Sequence, residues 1–345
     1  VHLDPLPERQ AIACFRARTG HTPGSDPQIG SICAVLAGHP LAISLAAAYR
    51  RLKGLRPSSL LRELRDRAPK LLDSLDSDPA DPRHVVRLAF ELLDDALDEE
   101  QRELFAALAV FQGPSFAASA AAAVSGKWRQ RTALFLKRAF HKREESVTDA
   151  RPWVDVEREW MELVRADLDF FCTLNLLKAT RGEGGRYHLP RMLQELAAEK
   201  DEHKSLATYQ GLVAYYRAFL QAHRADYATI ALEKENILGA LDWAWDHEDW
   251  ETVIEYVCDL EPFLHARYDF QRAADELHRA LEASLALKDQ AAEAYICQCL
   301  GTNRFLWGDH EGARSYYRRS LALAVTTGDQ LTMASAFHAL GNVSY

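Results

Sequence analysis

The chain has 345 residues, 48% of them hydrophobic and 26% charged, which is enough apolar material for two or three domains with separate cores. Its 41 Lys+Arg stand against 50 Asp+Glu, a formal net charge of -9, which argues against nucleic acid or an anionic membrane as partner of the whole protein. The first residues lack the basic and apolar regions of a signal peptide, and the most apolar run, 105–124, is broken by Gln112, Gly113, Pro114 and Ser115, so a cytoplasmic protein is expected.

Residues 1–74 read as four short helices. Pro7-Glu8 opens the first, which carries Ile12, Cys14 and Phe15 and closes at Gly20. Asp26-Pro27 is a cap followed by a first-position proline, and the helix it starts ends at Gly38. Pro40 begins the third, with Leu41, Ile43, Leu45 and Ala48 inward, and Gly54 ends it. Ser58 or Ser59 is the expected cap of the fourth, whose face holds Leu60, Leu61 and Leu64. The polar stretch Asp76–Pro82 then marks a domain boundary.

Over 83–200 the helical spacing returns in Val85, Leu88, Leu92 and Leu93, and again in Leu104, Phe105, Leu108 and Phe111. An alanine-rich helix is expected from Phe116 to Val124. Lys127–Arg143 holds Lys127, Arg129, Arg131, Lys137, Arg138, Lys142 and Arg143 with no acidic residue. It reads as a solvated helix face, with a phosphate-binding or partner-docking arm as the alternative. Residues 181–186 read as the turn of a hairpin between short strands at 176–180 and 186–189. Helices followed by a small hairpin fit a winged-helix module with an insertion at about 127–160.

Residues 201–248 read as a helical connector, and 249–345 repeat. Asp269 matches Asp309, Ala273 matches Ala313, Leu277 matches Tyr317, Leu281 matches Leu321, Asp289-Gln290 matches Asp329-Gln330, and Gly301 matches Gly341, each 40 apart without a gap. Two amphipathic helices per unit at a fixed period are the signature of an α-solenoid. Ala273 and Ala313 allow close approach, Leu277 and Tyr317 fill the seam, and Gly301 and Gly341 are expected where helices cross. The expected fold is therefore mainly α: a helical-bundle subdomain, a winged-helix domain with a small β-hairpin, then the solenoid.

Motifs of catalysis are missing. No G-x-x-x-x-G-K-[ST], H-E-x-x-H or G-x-S-x-G occurs, and the six cysteines form no C-x-x-C pair. Cys297 and Cys299 are two apart, so on a helix they diverge. No enzyme, no catalytic residue and no metal site is expected of this chain. Asp94-Asp95 and Asp98-Glu99-Glu100 suit charge compensation at a helix start better than acid/base chemistry.

The unit Leu300-Gly301…Ala313…Tyr317…Ser320 resembles tetratricopeptide repeats, at a period of 40 where about 34 is usual, and with Thr326-Thr327-Gly328-Asp329 in place of the usual proline. The front resembles the part of a signal-transduction ATPase with numerous domains (the AP-ATPase or NB-ARC group) that follows its nucleotide-binding domain. Leu3-Asp4-Pro5-Leu6 through Phe15 is similar to the lead-in to the first helical subdomain, Gly38-His39-Pro40-Leu41-Ala42 to the Gly-x-Pro-Leu-Ala motif, and Arg186-Tyr187-His188-Leu189 to the winged-helix motif, where Leu189 stands at a position that is often Asp. Glu235-Asn236-Ile237 through Trp243-Ala244-Trp245 resembles the connector into the repeats.

The resemblance implies that Pro40 lies against an adenine ring and that His188 donates to a phosphate of ADP. Both roles need a P-loop ATPase domain, the protein's own or a separate one. The resemblance thus implies ADP/ATP as a cofactor that the full-length protein could hold, and none is expected for this chain alone. The repeats would take a protein or other ligand, with Asn303, Arg304, Arg314 and Asn342 as candidate partner-binding residues because they are polar among apolar helices. Ligand on the repeats would favour an open form, and exchange of ADP for ATP would permit a ligand-induced oligomer. Two other functions fit the residues: a tetratricopeptide-repeat adaptor with a degenerate front, and a transcription regulator whose DNA-binding domain lies outside this chain. By local chemistry alone, Gly38-His39-Pro40 is a helix stop followed by a helix start, and His188 is a histidine at a strand end.

Overall fold

The computed structural model describes residues 5–20, 27–73, 82–125, 151–180, 185–200 and 206–343, and the chain divides into two compact units, Val1–Thr208 and Tyr209–Tyr345. The Asp26 cap, the linker over 76–81, the basic stretch 127–143, the hairpin turn 181–184 and the lead-in residues Leu3 and Asp4 lie outside the described residues.

The first unit is built around helix α3 (Pro40–Lys53), in which every residue from Ala42 to Tyr49 is buried. The sequence explains its bounds. Pro40 sits at the first position, where its missing N–H costs nothing, and Gly54 closes it in the left-handed region with its N–H returned to Arg50 O and Arg51 O. Against α3 pack α1 (Glu8–Thr19) and α5 (Pro82–Asp94), while α2 (Pro27–Val35) packs on α1 and on α4 (Pro57–Asp73). Ser58 and Ser59 do not cap α4: Pro57 is already helical, so both serines fall in the first turn. Gly20 does close α1, in the left-handed conformation.

Beyond α5 come α6 (Glu99–Ala107), a 3₁₀ turn (Leu108–Val110), strand β1 (Phe116–Ala117), α7 (Ala118–Val124), α8 (Arg151–Thr173), β2 (Lys178–Ala179), β3 (Arg186–His188) and α9 (Arg191–Lys200). Asp98 and Gln101 form a reciprocal capping box at the start of α6, as expected of that acidic run, whereas Asp94 ends α5 and takes the Lys200 ammonium at 2.8 Å, so it does not serve a helix start. The three strands form an antiparallel sheet in the order β1-β3-β2, with Phe116 opposite Tyr187 and Lys178 opposite His188. Strand β1 corrects the expectation of one helix over 116–124. Its pairing with β3 takes two residues from the helix start, and the Phe116 ring stacks 4.4 Å from Phe111. The hairpin strands are shorter than 176–180 and 186–189, because Leu176 and Leu177 still bond back to Phe171 O.

In the second unit α10 (Leu206–Ala222) leads into α11 (Tyr227–Asp246), α12 (Trp250–Ala266), α13 (Phe270–Leu287), α14 (Gln290–Leu306), α15 (His310–Thr327) and α16 (Gln330–Val343). One turn recurs five times between these helices. A residue in the left-handed region (Glu248 φ 56°, Tyr268 φ 59°, Lys288 φ 57°, Gly308 φ 84°, Gly328 φ 74°) is followed by an aspartate. The N–H groups of Asp249, Asp269, Asp289, Asp309 and Asp329 bond five residues back at 2.9 to 3.0 Å, closing the preceding helix. Four of the five carboxylates then cap the next helix, whereas Asp269 takes Lys234 Nζ at 2.8 Å. Each aspartate thus ends one helix and all but one begin another, which fixes a spacing of 20 residues and, for a pair of helices, 40.

The seam between pairs is as tight as the small residues suggest. Ala313, Tyr317, Ala339 and Val343 form one core, flanked by Phe305 and Leu340. A Cβ on Gly301 would lie 2.5 Å from two carbons of the Tyr317 ring, so glycine is required there. Gly341 departs from the expectation for its partner: nothing lies within 4 Å of where its Cβ would be.

Candidate functional site

The Gly-His-Pro turn in the first unit is set by three local constraints. Gly38 has φ 66°, and its carbonyl accepts the Leu6 N–H at 2.9 Å, so the segment ahead of α1 lies along the turn. A Cβ on Gly38 would come within 2.7 Å of Leu6 O, which excludes any other residue without a backbone shift. The segment 5–7 and the Gly38-His39-Pro40 turn therefore meet at one hydrogen bond. His39 is buried and caps α3, its Nδ1 accepting the Ala42 N–H at 3.4 Å, which places the ring proton on Nε2. Burial lowers its pKa and keeps the ring neutral. Pro40 is half-buried, and its carbonyl receives the Ser44 hydroxyl at 2.7 Å.

His188 ends β3 half-buried. Its Nδ1–H donates to Pro114 O at 2.7 Å, which orients the ring and leaves Nε2 as its other polar atom. Beside it Tyr187 is buried, and its hydroxyl donates to Asp169 at 2.8 Å. Burial and that carboxylate push the phenol pKa well up. Arg186 reaches Ser115 with Nε at 3.0 Å from the hydroxyl and a second nitrogen at 2.9 Å from the carbonyl, pinning β3 to the chain ahead of β1.

Pro40 and His188 have separate partners, and α1 and α3 are tied to the end of α8, ahead of the strands. Asn175, in the left-handed region between α8 and β2, accepts from the Arg18 guanidinium and donates to Ser44 O at 3.5 Å. Arg51 donates to Thr173 O at 2.7 Å. The cationic ends of α1 and α3 thus meet the C-terminal end of α8, where helix carbonyls favour positive charge. Sequence reasoning missed Asn175; the signal available was an asparagine at the end of an apolar helix, a common left-handed stop.

The four repeat residues divide. Asn303 is 0% exposed, so its side chain serves the packing of the repeat and is not offered to a partner. Its Nδ2 donates to Phe270 O at 3.0 Å and to His265 Nε2 at 3.2 Å, while the other ring nitrogen of His265 lies 2.9 Å from Glu261. Arg304, Arg314 and Asn342 stay nearer the surface. Arg304 lies 3.4 Å from Asp309; Arg314 meets Glu311 at 2.9 Å and Val343 O at 3.4 Å; Asn342 donates to His338 at 3.3 Å.

Burial disfavours the thiolate at several of the cysteines. Burial first, then neighbouring carboxylates, raise Cys258 to about 12, and burial raises Cys33 and Cys297 to about 11. Among the described residues no group of three or more His, Cys, Asp or Glu is placed to hold a metal ion, and no helix is long and apolar enough to cross a membrane.

No protein-family model matches the chain, and no curated protein does. Among solved structures, one that is similar is the crystal structure of a signal transduction ATPase with numerous domains carrying a tetratricopeptide repeat sensor, from Pyrococcus horikoshii, at 12% identity and a TM-score of 0.32. The match covers all of this chain and 58% of that one.

Proposed function

We propose that this chain is the regulatory portion of a nucleotide-switched signal-transduction ATPase, in which the repeats bind a protein ligand and the front helps to clamp ADP or ATP. The observation that carries the reading is the Gly38 turn. A buried neutral histidine, an obligatory glycine and a helix-starting proline are held against Leu6 by a backbone hydrogen bond, so that two of the motifs quoted for the resemblance form one structure. The strand order β1-β3-β2, with α7 and α8 lying between β1 and β2 in the chain, supports a winged-helix reading of the segment that carries His188. In this reading Pro40 supplies an apolar plane for the base, and His188, with Nδ1–H held by Pro114 O, gives a phosphate a donor at Nε2 as the imidazolium, once a P-loop domain is present to hold the remainder of the nucleotide.

The test is ADP retention by the full-length protein with its P-loop domain. His188→Ala should speed ADP release by about tenfold or more, through the loss of one charge-assisted hydrogen bond, and Pro40→Ala should speed it by a smaller factor, through the loss of apolar contact with the base. Retention unchanged in both variants removes the clamp. A protein with no P-loop domain would leave the second reading, a tetratricopeptide-repeat adaptor, which the self-contained core of the second unit favours.

A further inference from the structure

Two neighbouring turns of the second unit hold large apolar side chains outside any core. Tyr268, between α12 and α13, is 81% exposed; Leu306 and Trp307, between α14 and α15, are 50% and 52% exposed. The turns lie side by side because Asn303, one helical turn before Leu306, donates to Phe270 O at 3.0 Å and to His265 Nε2 at 3.2 Å, and these two residues flank Tyr268. The rings of Tyr268 and His265 both lie against Phe270, with centroids 6.0 and 5.9 Å away. Exposure here belongs to the place in the repeat. Ala266 and Arg267, which hold the places of Leu306 and Trp307 one unit earlier, are exposed too, with the α14–α15 turn beside them.

Two features separate this edge from ordinary surface turns. Tyr268 has φ 59°, where the Cβ of an L-residue crowds its own carbonyl and a bulky ring is an outlier; Gly308 holds the same place one unit on. Glu248 and Lys288 also stand in the left-handed region, but they are exposed charged residues, whereas Tyr268 holds an aromatic ring outward at that cost. Backbone strain of this kind points to binding rather than packing. The second feature is Arg267. It is exposed, and among the described residues its guanidinium has no hydrogen bond or ion pair. The carboxylates of these turns are already engaged: Asp269 with Lys234 at 2.8 Å, Asp309 with the Gly312 amide at 2.9 Å, and Glu311 with Arg314 at 2.9 Å.

The charges select the occupant. One free cation set among carboxylates is too little for a phosphate backbone, which is held by several. Edge-to-edge pairing of two copies gives Arg267 no free carboxylate, since those of the turns have partners. A peptide with one carboxylate beside an apolar side chain satisfies both the guanidinium and the rings, and Tyr, Trp and Arg are the residues from which interface hot spots are made.

We propose that the Arg267-Tyr268 and Leu306-Trp307 turns form a docking edge for a short acidic peptide segment of another polypeptide. One carboxylate of the segment meets Arg267, and an adjacent aromatic or aliphatic side chain lies against Tyr268 and Trp307. Asn303 keeps the two turns at a fixed spacing, which gives its burial a purpose at the surface. The proposal rests on the reading of the repeats as the ligand-binding part and names the chemistry of that ligand; nucleotide plays no part in it.

The probe is a displayed library of random dodecapeptides selected against the intact chain, with the enriched sequences then measured by fluorescence anisotropy. Enriched peptides are expected to carry an acidic residue beside an aromatic or aliphatic one. Arg267→Glu should weaken their binding by about tenfold or more. Lysine in place of the peptide's acidic residue should weaken binding to the unaltered chain by a similar factor, and pairing that peptide with Arg267→Glu should restore it. Tyr268→Gly and Trp307→Ala should each weaken binding by about tenfold. Tyr268→Gly takes the residue of the next unit's turn and should not lower Tm, so its loss of binding is no folding defect. An empty selection, enriched peptides without an acidic residue, or binding indifferent to both Arg267→Glu and Tyr268→Gly would overturn the proposal. Binding that falls only with Tyr295→Ala, near the start of α14, would overturn the edge and leave the repeats as the ligand-binding part. Self-association lost with Arg267→Glu and Trp307→Ala would overturn the choice of partner and show a second copy as the occupant.

Discussion

Gly301 and Gly341 occupy the same place in successive repeats, yet substitution by alanine should act on them with opposite sign. At Gly301 the new Cβ lies 2.5 Å from Cδ1 and Cε1 of Tyr317 and 3.1 Å from Cγ. Carbon atoms in contact prefer about 3.5 to 4.0 Å, so the ring must move by roughly an ångström. It has little room: Tyr317 is 3% exposed, is packed with Ala313, Ala339 and Val343, and donates its hydroxyl to Thr302 at 3.3 Å. Overpacking of this kind costs about 1 to 3 kcal/mol, against which alanine recovers roughly 0.8 to 1 kcal/mol of helix propensity. The net expectation is a loss of up to about 2 kcal/mol, or a fall in Tm of up to about 8 °C. At Gly341 no atom opposes the Cβ, so only propensity remains, and a gain of about 0.5 kcal/mol is expected for a residue in the last turn. Thermal and urea unfolding followed by circular dichroism measure both. Tyr317→Leu should relieve the Gly301→Ala defect, giving a coupling of about 1 kcal/mol in the double-mutant cycle. Strict additivity, or a stabilising Gly301→Ala, would refute the argument that the ring and the glycine are a matched pair.

Three further outcomes follow from the turns. Asp289→Ala removes the bonds to the Ala291 and Ala292 amides, both 3.0 Å, and should cost about 1 kcal/mol, whereas Asp269→Ala loses only a half-exposed ion pair and should cost about 0.5 kcal/mol or less; equilibrium urea unfolding compares them. The carboxylate of Asp329 is held below its ordinary pKa by the Thr332 side chain and amide. Because the folded value is the lower one, its contribution is complete above the unfolded carboxylate value, about 4, and is lost as pH falls through the folded value. Asp329→Asn, which still caps, should flatten that part of the acid melt and leave stability at pH 7 almost unchanged. Gly38→Ala combines a left-handed φ with a contact of 2.7 Å to a backbone oxygen, and should cost about 2 kcal/mol or more; faster hydrogen exchange at the Leu6 amide reports the detached segment.

The solenoid was legible because its punctuation is local. An aspartate that closes one helix and opens the next needs only its own neighbours, so the pattern survives as Asp269, Asp289, Asp309 and Asp329 in the sequence. The half-period of 20 is equally present there. It is masked because alternate helices bury different residues, Leu300 and Gly301 on one and Ala313 and Tyr317 on the next, so whole units match better than halves. Strand β1 was not legible. Its two residues owe their conformation to Tyr187 and Arg186, about seventy positions away, while the alanines that follow favour helix from local propensity alone. The Gly38 turn was half legible: a stop and a start are written in Gly38 and Pro40, but the need for glycine comes from Leu6 O across the turn.

Asn303 marks where polarity misleads. A polar residue in an apolar helix reads as exposed, since burial without partners costs a few kcal/mol. Here the partners of its Nδ2 are supplied by other helices, Phe270 O at the start of α13 and His265 on α12, itself bonded to Glu261, while its Oδ1 is buried without one. Asn175 does the same in the first unit, where one side chain meets α1 and α3 together. An apolar seam tolerates a shift of a helix along its neighbour, because one methyl replaces another. An asparagine bonded to a particular carbonyl does not, since a shift of one turn leaves its donors without partners in a dry place. Each of these residues therefore contributes placement more than stability. In a chain whose proposed work depends on how helices sit against one another, placement is what a ligand would have to change.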